Sequence, residues 1–234
     1  MALQELDNSN VGTHLGKTSS YSGEYNKELL VREPRSSNRE YLGINDDDLP
    51  FQGCDVWNGY EVSALTDNGL PINAIAKIVY SCDSKYIVES KSMKLYWNSF
   101  NMTNMGESEN DVTNNIAKQA IEDLGELLET GVSVHLYFPD AKPDEETNQD
   151  GNNFIHLELS ADDSVVYDVY KETPELLKFE ETLDGSSEFK KYKSNLLKSN
   201  CRVTSQPDWG DIFITIKGNK QPTVTSLLQY IVSF

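Results

Sequence analysis

Hydrophobic residues in this chain switch period from two to nearly four and back, and that order limits the fold more than any other feature. Val56 to Leu65 reads as a strand, with Val56, Trp57, Tyr60 and Val62 apolar. Asn68-Gly69 and Pro71 supply a turn, and Ile72 to Tyr80 reads as the second strand of a hairpin. Met93, Tyr96, Trp97 and Phe100 then recur at helical spacing. A second helix follows, capped by Asp111 or Thr113, with Ile116, Ala120, Ile121, Leu124 and Leu128 on one face and Gly131 as its stop. Val132, Val134, Leu136 and Phe138 return to strict alternation, and Phe154 to Leu159 alternates again after a polar loop at 139–152. The order β-β-α-α-β-β predicts an α+β module rather than a parallel α/β sheet.

Residues 1 to about 50 are polar and turn-rich. Glu33 to Asn38 and Asn45 to Asp48 read as loops, so this segment is expected to be an arm wrapping a core. A charged connector is expected at about 165–195. Beyond it, Cys201 to Thr204 and the alternating Ile212, Ile214 and Ile216 read as strands, Lys217-Gly218-Asn219 as a turn, and Ser226 to Phe234 as the start of an apolar helix. The expected division is therefore an arm at 1–50, a first module at 51–165, and a connector with a partial second module at 166–234. Cys54-Asp55-Val56 echoes Cys201-Arg202-Val203, with Glu61 and Asp208 each seven residues after the cysteine. An old duplication explains the echo, and so does coincidence.

Composition excludes several classes of function. The 234 residues carry a formal net charge of -18, which argues against a broad basic surface for nucleic acid or anionic lipid. No apolar run reaches the roughly 18 residues needed to span a bilayer, and the N-terminus lacks a basic-then-apolar signal pattern. Three cysteines, Cys54, Cys82 and Cys201, make no disulfide framework. His14, His135 and His156 do not join them at metal-ligand spacing, so no metal site is expected. A reducing cytoplasm is the expected compartment.

Two segments can carry chemistry. Leu196 to Gly210 sets Cys201 and Asp208 seven residues apart, across a turn that contains Pro207. A thiolate at Cys201, its pKa lowered by Arg202 or a cofactor-binding lysine, is a strong nucleophile. Asp208 suits a general acid if partly buried, with Trp209 contributing the burial. Cys201 also reads as a small buried hydrophobe, and Asp208 as a turn residue between Pro207 and Gly210. Glu89-Ser90-Lys91-Ser92 opens a helix, where N–H groups, hydroxyls and Lys91 suit a phosphate, although an ordinary capped helix start looks the same. Glu89 would repel a phosphate. It suits instead a ligand offering paired N–H donors, such as the amidine edge of a guanine-like ring. Cys54 and Cys82 are expected to pack.

These segments together resemble the 7-cyano-7-deazaguanine reductases, the nitrile reductases of queuosine biosynthesis, in their two-module form. The matching pieces are Leu15-Gly16-Lys17, Pro34 to Arg39, Leu49-Pro50-Phe51, Asp55-Val56-Trp57, Glu89 to Ser92 with Lys94-Leu95-Tyr96, Asn98 to Asn101, Leu196 to Gly210 and Leu228 to Phe234. The resemblance implies a tandem tunnelling fold, in which antiparallel four-stranded sheets with paired helices associate into barrels. It implies an NADPH-dependent oxidoreductase that converts the nitrile of 7-cyano-7-deazaguanine to an aminomethyl group through a thioimidate on Cys201, with Asp208 protonating nitrogen. It also implies that Val88, Glu89 and Ser90 contact the deazaguanine, that Ser90 and Lys91 contact NADPH, and that the chain forms a homodimer or larger homo-oligomer. No direct nucleic-acid or membrane contact is implied.

One departure bears on this. The family places a His-Glu pair and then an Arg-Gly cofactor contact after the segment matched here by Phe234, whereas no histidine follows Cys201. The second module also lacks its closing strands, so the chain is expected to be a piece of a longer gene product. A purine- or pterin-binding protein of the same fold that has lost its chemistry is the alternative. A cyclohydrolase or pterin synthase would need zinc ligands that the sequence does not offer.

Overall fold

In a computed structural model, the structure describes residues 23–139, 154–162, 164–181, 188–200 and 206–234. The chain forms two compact units, one up to Pro143 and one from Asp144 on. Both are mixed α+β with mainly antiparallel sheets. No helix among the described residues is long and apolar enough to cross a membrane.

The first unit opens with strand β1 (Arg32–Pro34) and a short helix α1 (Ser36–Arg39), where the sequence suggested only loop. A hairpin follows, β2 (Cys54–Leu65) and β3 (Pro71–Ser81), both slightly longer than the alternation predicts. Its turn works because Gly69 takes φ +85, a left-handed conformation that costs glycine little. The β2–β3 register shifts between Gly59 and Val62, where Glu61 sits at φ +63. β4 (Tyr86–Val88) pairs antiparallel with β1. Helices α2 (Ser90–Ser99) and α3 (Glu109–Leu128) come next, and β5 (Val132–Tyr137) returns to pair with β3, giving the sheet order β2-β3-β5.

The core lies where one sheet face meets the two helices. Val62, Ala64, Ala76, Ile78 and Tyr80 from the sheet pack with Met93, Tyr96, Trp97 and Phe100 of α2 and with Ile116, Ala120, Leu124 and Leu128 of α3. Alanine at positions 64 and 76 of the sheet leaves room for the aromatic face of α2. Each fully buried Leu or Phe side chain contributes about 1.5–3 kcal/mol. Gly59 shows how close this contact is, since a Cβ there would lie 2.8 Å from Trp97 Nε1.

Three local expectations for this unit are corrected. Ser108, not Asp111 or Thr113, caps α3, and Asp111 instead completes a capping box by returning a bond to the Ser108 N–H. The helix ends at Glu129, in a left-handed conformation at φ +54, rather than at Gly131. Ile121 is 39% exposed, because a stripe through residues 116, 120, 124 and 128 leaves position 121 at its margin.

The second unit holds two further corrections. The alternation of Phe154 to Leu159 yields only a two-residue strand, β6 (Ile155–His156), followed by one turn of helix, α4 (Leu157–Ser160). The supposed connector contains β7 (Phe179–Glu181) and the long strand β8 (Glu188–Asn200). β8 forms a hairpin with β9 (Pro207–Gly218), while β6 adds in parallel on its other side, joining this sheet rather than that of the first unit. β10 (Lys220–Pro222) pairs with β7, and α5 (Val224–Val232), capped by Thr223, covers the sheet. Ile212, Ile214 and Ile216 turn toward α5 to pack around Tyr192, Leu227, Leu228 and Ile231, as their alternation requires. The strand expected at Cys201 to Thr204 lies outside the described residues.

The cysteine echo does not coincide with the repeat in the strands. Cys54 opens the first strand of its hairpin, whereas Asn200 already closes β8 and Cys201 follows it. The two hairpins correspond better at their bulges, between Gly59 and Val62 in β2 and between Ser194 and Leu197 in β8.

Candidate active site

One candidate segment is the start of α2. β4 delivers it, and β4 is held by β1 through the pairs Arg32↔Val88, Glu33↔Ile87 and Pro34↔Tyr86. Val88 is buried, and its N–H lies 3.5 Å from the Tyr80 hydroxyl, which also accepts a bond from Trp57 Nε1 at 2.9 Å. Glu89 donates its N–H to Val31 O at 2.9 Å. The buried Ser92 hydroxyl donates to Glu89 O at 2.7 Å and accepts from Val31 N at 3.0 Å. The backbone of Glu89 is therefore held by the arm, by β4 and by its own helix.

Glu89 is the N-cap of α2. Its Oε1 accepts from Lys91 N at 3.0 Å and its Oε2 from Ser92 N at 2.6 Å. A carboxylate at a helix start is favoured by the macrodipole and by the unpaired N–H groups there. The same contacts remove those two N–H groups from any phosphate. The Ser90 hydroxyl and the Lys91 ammonium are exposed at this helix start and could hold an anion. Each carboxylate oxygen keeps lone pairs for outside donors, so Glu89 can still accept two parallel N–H groups from a planar ligand.

Buried cations brace this region from behind. Arg35 Nε donates to Ser84 Oγ at 3.1 Å and the guanidinium pairs with Asp55. Arg39 pairs with Asp46 at 2.7 Å and reaches the Cys82 carbonyl. Both arginine side chains are only 10% exposed. Sequence reasoning missed these anchors because arginine in a polar stretch looks like solvated loop. A second hidden anchor is Asp123, whose carboxylate is buried on α3 and accepts from the hydroxyls of Tyr25 and Tyr96 at 2.7 and 2.6 Å. Burial and the Asp123 contact push both phenols well above their ordinary range.

The other candidate segment belongs to the second unit. Asp208 is the second residue of β9, paired across the ladder with Ser199, and it is exposed. Trp209 is 62% exposed, with the Lys198 ammonium 6.0 Å from its ring. The shielding of Asp208 by Trp209 that the sequence suggested is therefore not formed. The last pair of the hairpin is Asn200↔Pro207. Cys201 and Arg202 fall between them and lie outside the described residues. Cys54 is exposed at the head of β2, against the expectation that it packs, and Cys82 is half-buried just past β3.

The family model for the N-terminal part of the nitrile reductases, 7-cyano-7-deazaguanine reductase, matches residues 21–136. An NADPH-dependent 7-cyano-7-deazaguanine reductase of Colwellia psychrerythraea (strain 34H) is 38% identical over 221 residues, covering 94% of this chain and 74% of the relative. The enzyme of that name from Rickettsia canadensis (strain McKiel) is 37% identical over 224 residues, covering 94% of this chain and 75% of the relative. Matches of that extent take in both the helix start at Glu89 and the segment from Leu196 to Gly210, so the likeness is not confined to one unit. The chain belongs to the 7-cyano-7-deazaguanine reductase family.

Proposed function

We propose that this protein is an NADPH-dependent nitrile reductase that converts 7-cyano-7-deazaguanine to 7-aminomethyl-7-deazaguanine, a step toward queuosine in tRNA. The observation that carries this reading is kinship at 38% identity across 94% of the chain with an enzyme of that name. The geometry of Glu89 supports it. A carboxylate fixed by Lys91 N and Ser92 N, on a backbone held by Val31 and the Ser92 hydroxyl, offers a positioned acceptor pair for the amidine edge of a guanine-like base, with Val88 and Ser90 as its chain neighbours.

A nitrile is linear and weakly electrophilic, so covalent capture is the first requirement. In this reading the Cys201 thiolate adds to the nitrile carbon, forming a C–S bond. Asp208 gives its proton to the nitrogen as the C≡N bond becomes C=N, and the product is a thioimidate. NADPH supplies the reducing chemistry, two hydride equivalents per nitrile, which with two protons complete the aminomethyl group. The C–S bond breaks along the way and returns the thiolate. The residues that fit the anionic cofactor are the Ser90 hydroxyl and the Lys91 ammonium, both exposed. A free thiol and a supply of NADPH are conditions the cytoplasm offers, and this is the compartment we assign.

A tandem tunnelling fold is the architecture we assign. Its support is an antiparallel sheet with two helices on one face in the first unit, and a bulge at corresponding places in the two hairpins. Among the described residues β2 and β5 are edge strands, and open edges favour association into a homodimer or larger homo-oligomer.

The test is chemical. Incubation with 7-cyano-7-deazaguanine should give a covalent mass adduct that is absent in Cys201→Ala and retained in Cys54→Ala. Asp208→Asn should slow adduct formation by about 10²–10⁴-fold, the range of a lost general acid. An adduct that moves with Cys54, or unchanged kinetics in Asp208→Asn, would overturn the assignment of roles.

A further inference from the structure

The β8–β9 hairpin contains a bulge whose hydrogen bonds can be followed one by one. Ser194 pairs with Ile212 and Leu197 with Gly210, so Asn195 and Leu196 together face the single residue Asp211. Two backbone N–H groups therefore leave the ladder, and both are recovered through one atom. Asn195 N donates to Glu158 Oε1 at 2.8 Å. Leu196 N donates to Ser194 Oγ at 3.1 Å, and that hydroxyl donates in turn to Glu158 Oε1 at 2.7 Å. The Asn195 side chain closes the cluster, donating to Asp211 Oδ1 at 2.6 Å and meeting His156 Nε2 at 3.1 Å.

The second oxygen of Glu158 behaves differently. Oε2 lies 3.0 Å from His156 Nδ1, yet both atoms are buried and no aligned hydrogen bond joins them. Proximity is all they share. Burial opposes ionisation of Glu158, but the bonds from Ser194 and the backbone N–H groups outweigh it and hold the carboxyl below its ordinary value.

The bulge decides which way the end of the hairpin faces. Ser194 points into the core, as does Leu197, three residues on. Unbroken alternation from Ser194 would put Leu196 inward, Leu197 outward and Lys198 inward. With the extra residue, Leu197 packs and Lys198 shares the outer face with Trp209. Every residue from Leu197 to Asn200 changes face if the bulge is lost, and Asp208 then loses Ser199 as its cross-strand partner. Bulges serve to re-aim side chains in this way.

We infer that Glu158 is a positioning residue, one that clamps the β8 bulge through Oε1 and thereby sets the register in which Asp208 and the strand leading to Cys201 are presented. The inference rests on the roles proposed above for Cys201 and Asp208. It assigns Glu158 no contact with substrate or cofactor.

The test uses the full chain with Glu158→Gln and Glu158→Asp, following both the rate of adduct formation with 7-cyano-7-deazaguanine and amide hydrogen exchange. Gln keeps an oxygen at Oε1 and removes the charge; Asp keeps the charge and withdraws the oxygen by one methylene. Gln should therefore retain the wild-type rate and the protection of the amides at 195 and 196. Asp should lose that protection and slow the maximal rate by about 10²-fold, the scale of a misplacement near 1 Å. Half-saturation by the nitrile should stay unchanged, because Glu89 lies in the other unit. A rate that falls in Gln but not in Asp would show that charge is what matters and would overturn the clamp. Unchanged amide protection in Asp would overturn it as well. Failure of the wild-type chain to form any adduct would instead refute the proposed function, so the two failures are distinguishable.

Discussion

Replacing Tyr96 by Phe isolates one bond in the anchor beneath the candidate site. Tyr96 is fully buried on α2, and its hydroxyl donates to Asp123 Oδ2 at 2.6 Å. The same oxygen accepts from Tyr25, and Gln119 Nε2 donates to Oδ1 at 3.0 Å. Phe fills the same space, so no cavity opens, and the carboxylate keeps two donors. The loss is one hydrogen bond to a charged group, about 1.5–3 kcal/mol. With a urea slope of about 2 kcal/mol per molar, the unfolding midpoint should fall by about 1 M. Trp57 and Trp97 report on this unit by fluorescence, and a Trp209→Phe background removes the signal of the second unit. Adding Tyr25→Phe leaves the buried charge with Gln119 alone among these donors. The double variant should then lose more than the two single losses together, since breaking a buried ionic cluster costs more as its last donors go. An unchanged midpoint in Tyr96→Phe, or strict additivity in the double variant, would refute the account of Asp123 as the shared anchor of arm, α2 and α3.

Gly59→Ala should destabilise the first unit by about 1–3 kcal/mol through overpacking, because the new Cβ meets Trp97 Nε1 at 2.8 Å; urea denaturation checks it, and a neutral result would mean that Trp97 shifts freely. Alkaline pH should weaken both units. Burial first, then the Glu172 contact, pushes the Tyr230 hydroxyl up to about 12, and the Tyr25 and Tyr96 phenols are also raised. For a raised folded value the contribution is complete below the ordinary phenol value of 10 and is lost as pH rises through the folded value. The urea midpoint should hold steady below pH 10 and fall above it, less steeply in Tyr230→Phe; a midpoint insensitive to pH would contradict the raised phenols.

Periodicity in the sequence determined β2, β3, α2, α3, β5 and β9, because each is amphipathic over enough residues for one face to be identified locally. Immediate neighbours in the chain likewise marked Glu89 and Asp208 as carboxylates in unusual company. What it left open depends on partners far along the chain. β8 is masked by Lys190, Lys191, Lys193 and Lys198 and by a bulge that breaks its alternation, so it reads as a charged connector until β9 pairs with it. Phe154 to Leu159 alternates like a strand, but only two residues find an edge, and Leu157 turns into the second core. Arg35, Arg39 and Asp123 look like solvated charges and are buried, since Asp55, the Cys82 carbonyl and the two tyrosines that meet them come from distant parts of the chain. Alternation and helical spacing are properties of neighbours, legible in order along the chain. Whether an edge is taken, a charge buried or a bulge held is decided by groups that meet only once the chain has folded.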